Sequence, residues 1–264
     1  MTSSDDAFEP AYVGMDVACA KQKFLPISVC VLRGNRLEPL PLKTVRTRPP
    51  RGGGNILALD SEWRDEFALQ TELYLYQLED HFSVRIERIA LDAPAAPCPP
   101  NLVKRASETA LGTLGMSYFK TPSEEKFSEI KMKAARHLHG GGAVSQLPHA
   151  NQLWMLVGFA LFNRLGPLWT CLEVYPQAIV HLLGCSSRHK SHSSGLAAQM
   201  HAVGTRLGWD ESDFENALKA AGFGKRHDQF DAYLAAWVAS LDEKDREPLG
   251  VPPSDAIWVP RFLS

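Results

Sequence analysis

The chain has 264 residues, 45% of them hydrophobic and 22% charged, with a formal net charge of −2. This is the composition of a globular protein with a sizeable core, and it gives no broad electrostatic pull on nucleic acid. The five cysteines are scattered without a Cys-x-x-Cys pair, which argues against a disulfide framework and a zinc ribbon.

The polar, acidic start from Met1 to Asp6 lacks the pattern of a secretory signal, and the longest apolar run, Leu153 to Phe162, is far short of the roughly 20 residues of a membrane span. A cytoplasmic protein with no membrane segment is the expectation. From the start, Ala11 to Ala18, Phe24 to Leu32 and Arg36 to Val45 read as three antiparallel strands, the last two joined by a Gly34-Asn35 hairpin turn. Arg46 to Gly54 is a loop on its Pro and Gly content. Helical spacing through Trp63, Phe67, Leu73 and Leu78 predicts a helix over Ser61 to Asp80, with Ser61 as its cap. A strand ends in Ile86 to Asp92. Helices follow over Asn101 to Leu114 and Ser123 to Leu138, then a glycine loop at Gly140 to Gly142 and the apolar helix after Leu153. Trp169 to Tyr175 reads as a fifth strand and Asp228 to Leu241 as a final helix, after which Pro248, Pro252 and Pro253 mark an irregular tail. This order fits an α/β fold, a mixed five-stranded sheet with helices on its faces.

Three of these strands end in acids. Asp16 in Val13-Gly-Met-Asp-Val17 and Asp92 in Ile89-Ala-Leu-Asp-Ala93 each sit in apolar strands where an unpaired charge is costly, and Glu173 interrupts a third before Pro176. Each acid alone has a structural reading, as a turn cap or an ion pair. Together they suit the crevice beyond the carboxyl ends of strands, where open α/β sheets bind ligands. On the last helix, Phe230, Tyr233, Leu234, Trp237, Val238 and Leu241 form an apolar stripe, with Asp231 at its border and directed to the sheet; His227 lies one turn earlier. Asp228 also reads as a first-turn acid favoured by the helix dipole. Converging carboxylates select hard cations, Mg²⁺ or Mn²⁺, and two such ions about 3.5–4 Å apart suit in-line phosphodiester hydrolysis. His137, His139 and His149 around the glycine loop and His189 and His192 in the Ser-rich loop are dispersed and read as solvated side chains. The basic clusters at Lys43 to Arg51, Lys126 to Arg136 and Arg188 to Arg226 each read singly as solvated faces.

Gly14-Met-Asp16, Leu91-Asp-Ala-Pro94, a helix with Arg105 and Glu108 leading through Gly112 to Thr121-Pro122, Glu173-Val-Tyr-Pro176 and His227 to Trp237 occur in this order along almost the whole chain. In this the sequence resembles the domain-of-unknown-function family 429, described as predicted RNase H-like nucleases. The resemblance implies one domain over residues 1–264 with an RNase H-like five-stranded sheet and a helical insertion at about 123–165 before the last strand. It further implies Asp16, Asp92 and Asp231 as the catalytic, metal-binding set. Glu173 and Asp228 are further candidate ligands, and either His227 or Asp228 supports the second metal. Arg105, Arg188, Lys190 and Lys225 are candidate contacts to a nucleic-acid substrate. A metal- or nucleotide-binding regulatory module that keeps the fold without turnover is the alternative.

Overall fold

Strands β1 (Glu9–Asp16), β2 (Ile27–Arg33) and β3 (Arg36–Pro39) form an antiparallel meander in the computed structural model, which describes residues 8–17, 19–184 and 193–261. Gly34 makes the β2–β3 turn with φ 64°, in the left-handed region that glycine enters without strain. β3 stops at Pro39, well before Val45, because prolines at 39 and 41 bring no N–H to a ladder; Leu42–Thr44 is a 3-10 turn instead. Helix α1 (Gly54–Leu59) begins where the glycine-rich loop ends, and α2 (Ser61–Phe82) follows. Its cap is Asp60 rather than Ser61, the carboxylate accepting the N–H of Glu62 at 2.9 Å.

β4 (Val84–Asp92) lies parallel to β1. After it come α3 (Ala106–Thr113), shorter at its start than the sequence suggests, then α4 (Glu124–His139) and α5 (Trp154–Leu165). β5 (Thr170–Glu173) is parallel to β4, and α6 (Pro176–Leu182), α7 (Ser193–Arg206), α8 (Glu211–Ala221) and α9 (Arg226–Ser240) follow it. The tail is not irregular. β6 (Arg246–Val251) and β7 (Asp255–Pro260) pair antiparallel, and β7 runs parallel to β5, so the sheet has seven strands, not five, in the order β3-β2-β1-β4-β5-β7-β6. The prolines mislead because β6 is an edge strand, where Pro248 is tolerated, and Pro252 and Pro253 lie in the turn. The helical segment at 123–165 therefore leads into the fifth strand, which is not the last, because β6 and β7 follow it.

Alternation along β1 sends Ala11, Val13 and Met15 into a core shared with α2, α4 and α5, and Tyr12, Gly14 and Asp16 to the face covered by α9. Small residues pave that second face, since Ser28, Gly14 and Ala90 stand side by side across β2, β1 and β4. A Cβ on Gly14 would fall 1.9 Å from the Ala232 carbonyl oxygen and 2.2 Å from the Ala236 nitrogen, so the backbone of α9 rests directly on the strand. Phe230 and Tyr233 turn the other way, onto Phe214 of α8 at ring-centroid distances of 6.4 and 5.0 Å. The large apolar stripe thus serves the outer helices, and Ala232, Ala235 and Ala236 face the sheet. Among the described residues, no helix is long and apolar enough to cross a membrane, and Cys19, Cys30, Cys98 and Cys171 are free thiols.

Candidate metal centre

Asp16 and Asp92 are register partners at the carboxyl ends of parallel strands β1 and β4. Paired residues share a face, so both side chains leave the sheet on the side that α9 covers. Asp231 comes from the second turn of α9, immediately before the residue whose carbonyl abuts Gly14, and Gly14 precedes Asp16 by two residues on the same face. The close seat of the helix therefore sets how near Asp231 comes to the strand acids. One carboxylate oxygen from each of the three lies within 4.8 Å of the other two. Asp231 is 3% exposed, whereas Asp16 and Asp92 are half-buried. Three carboxylates at this separation repel one another. An all-oxygen, anionic donor set matches Mg²⁺ or Mn²⁺ rather than a metal that prefers sulfur or imidazole. Asp16 and Asp92 open onto a cleft of about 1050 Å³, whose walls include Lys21, Asn55, Phe119, Ser145, Trp154 and Tyr175.

Glu173 does not join this group. Its register partner is Leu91, not Asp92, and a phase difference of one residue sends a side chain to the opposite face of a sheet. Both its oxygens receive the Arg105 guanidinium, Nη1 at 2.8 Å and Nη2 at 2.7 Å, and one also accepts the N–H of Ala95 at 2.9 Å. Arg105 Nε donates to Asp255 at 3.1 Å. Asp255 in turn accepts the N–H of Ala106 at 2.6 Å and the hydroxyl of Ser107 at 2.5 Å, and Glu108 accepts the N–H of Thr121 at 2.6 Å. Burial opposes the charge of Arg105, but hydrogen bonding to Glu173 and the negative charges of Glu173, Asp255 and Glu108 outweigh it and raise its pKa. Burial likewise pushes the Asp255 carboxyl up, yet the Ser107 hydroxyl, the two backbone N–H groups and Arg105 together hold it below the ordinary carboxylate range.

Two expectations change accordingly. Glu173 is committed to an internal network, and Arg105, 2% exposed, has no surface to offer a substrate. The network instead clamps the start of α3 to β5 and β7. His227 Nε2 lies 2.9 Å from Asp228 Oδ1, and Asp228 Oδ2 accepts the N–H of Lys225 at 3.1 Å, so this pair closes the first turn of α9 outside the three-aspartate group. Lys225 is exposed at the cap of α9 and does not line the cleft. Arg188 and Lys190 lie outside the described residues.

Asp255 is not legible in the sequence, because the prolines around it disguise the strand it opens, and neither is the aromatic wall of the cleft. Tyr175 stands inside the Glu173-to-Pro176 motif and Trp154 heads the apolar helix, but neither position by itself marks a cleft wall. The family model described as "Protein of unknown function (DUF429)" matches residues 52–253, and the chain belongs to that family. The match includes Asp92 and Asp231, while Asp16 precedes it. No curated protein and no solved structure matches the chain.

Proposed function

We propose that this DUF429 member is a divalent-metal-dependent phosphodiesterase of RNase H-like fold that hydrolyses nucleic acid. The observation that carries the reading is the meeting of Asp16, Asp92 and Asp231, from three elements distant in sequence, within 4.8 Å beside an open cleft. The fold part of the reading is supported by a meander, β3-β2-β1, continued in parallel by β4 and β5 with helices on both faces; β7 and β6 extend one edge. Asp16, Asp92 and Asp231 would hold Mg²⁺ or Mn²⁺, two ions in the full reading. Such ions, when bound, supply an activated water and charge neutralisation at the leaving oxygen. Asp231 is fixed by its burial beneath β1, so it offers a ligand oxygen with little freedom to reorient. Lys21, exposed in the cleft wall, can meet a phosphate and orient it without taking part in bond breaking.

A binding module without turnover is the second reading. It is favoured by the commitment of Glu173 to Arg105, which leaves three clustered carboxylates for two ions. Turnover separates the two. Purified protein with Mn²⁺ should cleave members of a DNA and RNA panel and stop on addition of EDTA. Asp16→Asn and Asp231→Asn, checked for folding by circular dichroism, should each lower the rate by orders of magnitude. No metal-dependent cleavage of any panel member, or variants that cut as fast as wild type, would end the nuclease reading.

A further inference from the structure

The walls of the cleft are unlike those expected for a rigid polyanion. Phe119, Ile56 and Val144 line it at 59%, 41% and 47% exposure, joined by Trp154 and Tyr175. Exposed apolar side chains gathered at one place mark a binding surface. Lys21 is the single cation among the described residues that line it. A duplex presents its phosphates outward and keeps its bases stacked inside, so it would set charge against apolar walls and leave one lysine to meet many phosphates. An unpaired strand presents what this cleft can use, a base with two π-faces beside each phosphate.

We infer that, granting the nuclease reading, the substrate is an unpaired nucleic-acid strand whose phosphate sits at Asp16 and Asp92 while its base lies against Phe119, Trp154 and Tyr175. The polar ends of two of these rings are already engaged. Trp154 Nε1 donates to the Asn151 carbonyl at 3.0 Å, and the Tyr175 hydroxyl donates to the Ser117 carbonyl at 2.8 Å. The rings are held in place and offer faces rather than donors, so recognition is by stacking and accepts any base. A volume of about 1050 Å³ slightly exceeds the roughly 300–1,000 Å³ of small-molecule sites, enough for more than one nucleotide.

The test measures binding apart from turnover. Fluorescence anisotropy in Ca²⁺ compares a labelled single-stranded octanucleotide, as DNA and as RNA, with a blunt duplex of the same sequence. The single strands should bind at least tenfold more tightly than the duplex. Phe119→Ala, a change at an exposed position, should weaken single-strand binding about tenfold and leave duplex binding unchanged. Trp154→Phe should keep the binding while removing the tryptophan quenching that accompanies it. Equal or tighter binding of the duplex, no binding of any probe, or no effect of Phe119→Ala overturns the inference. The two readings fail separately: stacking-dependent binding without metal-dependent cleavage removes the nuclease and leaves the strand site. Cleavage that needs Asp16 but prefers duplex and ignores Phe119 does the reverse.

Discussion

Replacing Gly14 by alanine adds one methyl group, and the structure gives that methyl no room. The new Cβ would stand 1.9 Å from the Ala232 oxygen, 2.2 Å from the Ala236 nitrogen and 2.9 Å from the Ala235 carbonyl carbon. All three are backbone atoms of α9, so no side chain can swing aside. An ordinary contact at 3.4 Å would require the helix to retreat by about 1.5 Å. Overpacking in a well-filled interior costs about 1–3 kcal/mol, and a clash of backbone on backbone belongs at the upper end. With a urea dependence of about 3 kcal/mol per molar, the unfolding midpoint should fall by about 1 M. The retreat also carries Asp231, the neighbour of Ala232, away from Asp16 and Asp92. Mn²⁺ titrated against melting temperature should therefore stabilise Gly14→Ala less than wild type at each concentration. A variant with wild-type urea midpoint and wild-type Mn²⁺ response would refute the argument that this glycine seats the helix and, through it, the third acid.

Two other perturbations probe the buried network. Arg105→Met leaves Glu173 and Asp255 without their cation and should destabilise the protein by about 3–5 kcal/mol in urea unfolding, with Arg105→Lys recovering little because an ammonium cannot grip both Glu173 oxygens and Asp255 at once; a melting temperature unchanged in Arg105→Met would contradict this. The Asp255 carboxyl titrates below its unfolded value of about 3.9, so its contribution is full above that pH and is lost as pH falls through the folded value. The melting temperatures of wild type and Asp255→Asn should thus differ at pH 7 and converge only as pH falls below the unfolded carboxylate value, whereas a gap that is constant with pH would assign the effect to packing.

What the sequence made legible follows from how local each signal is. The β2–β3 turn is written in two adjacent residues, and α2 in a period of apolar positions, and both are found where those signals lie. β6 and β7 pair with each other across a short turn but join the sheet only through β5, more than eighty residues earlier. Nothing in the tail itself records that distant edge, and its prolines argue against a strand. The stripe on α9 shows a related loss of information. Its large residues announce a buried face but not which neighbour covers it, and Phe214, on another helix, decides the matter.

The acids make the same point at the scale of one residue. Asp16, Asp92 and Glu173 all end apolar strands, and by sequence alone the three are equivalent. Register separates them, because Asp92 stands opposite Asp16 while Glu173 stands opposite Leu91. Side chains alternate faces with a period of two, so a slip of one position moves an acid from the α9 side to the side where Arg105 waits. The basic partner was visible too, as Arg105, but a buried guanidinium and a substrate-binding one look alike in a sequence. Their difference lies in what surrounds them: Arg105 is enclosed by Glu173 and Asp255, whose strands β5 and β7 are neighbours only in the folded sheet. A candidate ligand set read from strand-terminal acids is therefore one register assignment short of a site, and that assignment divides the acids here into a cluster that faces a cleft and an ion pair that holds the walls together.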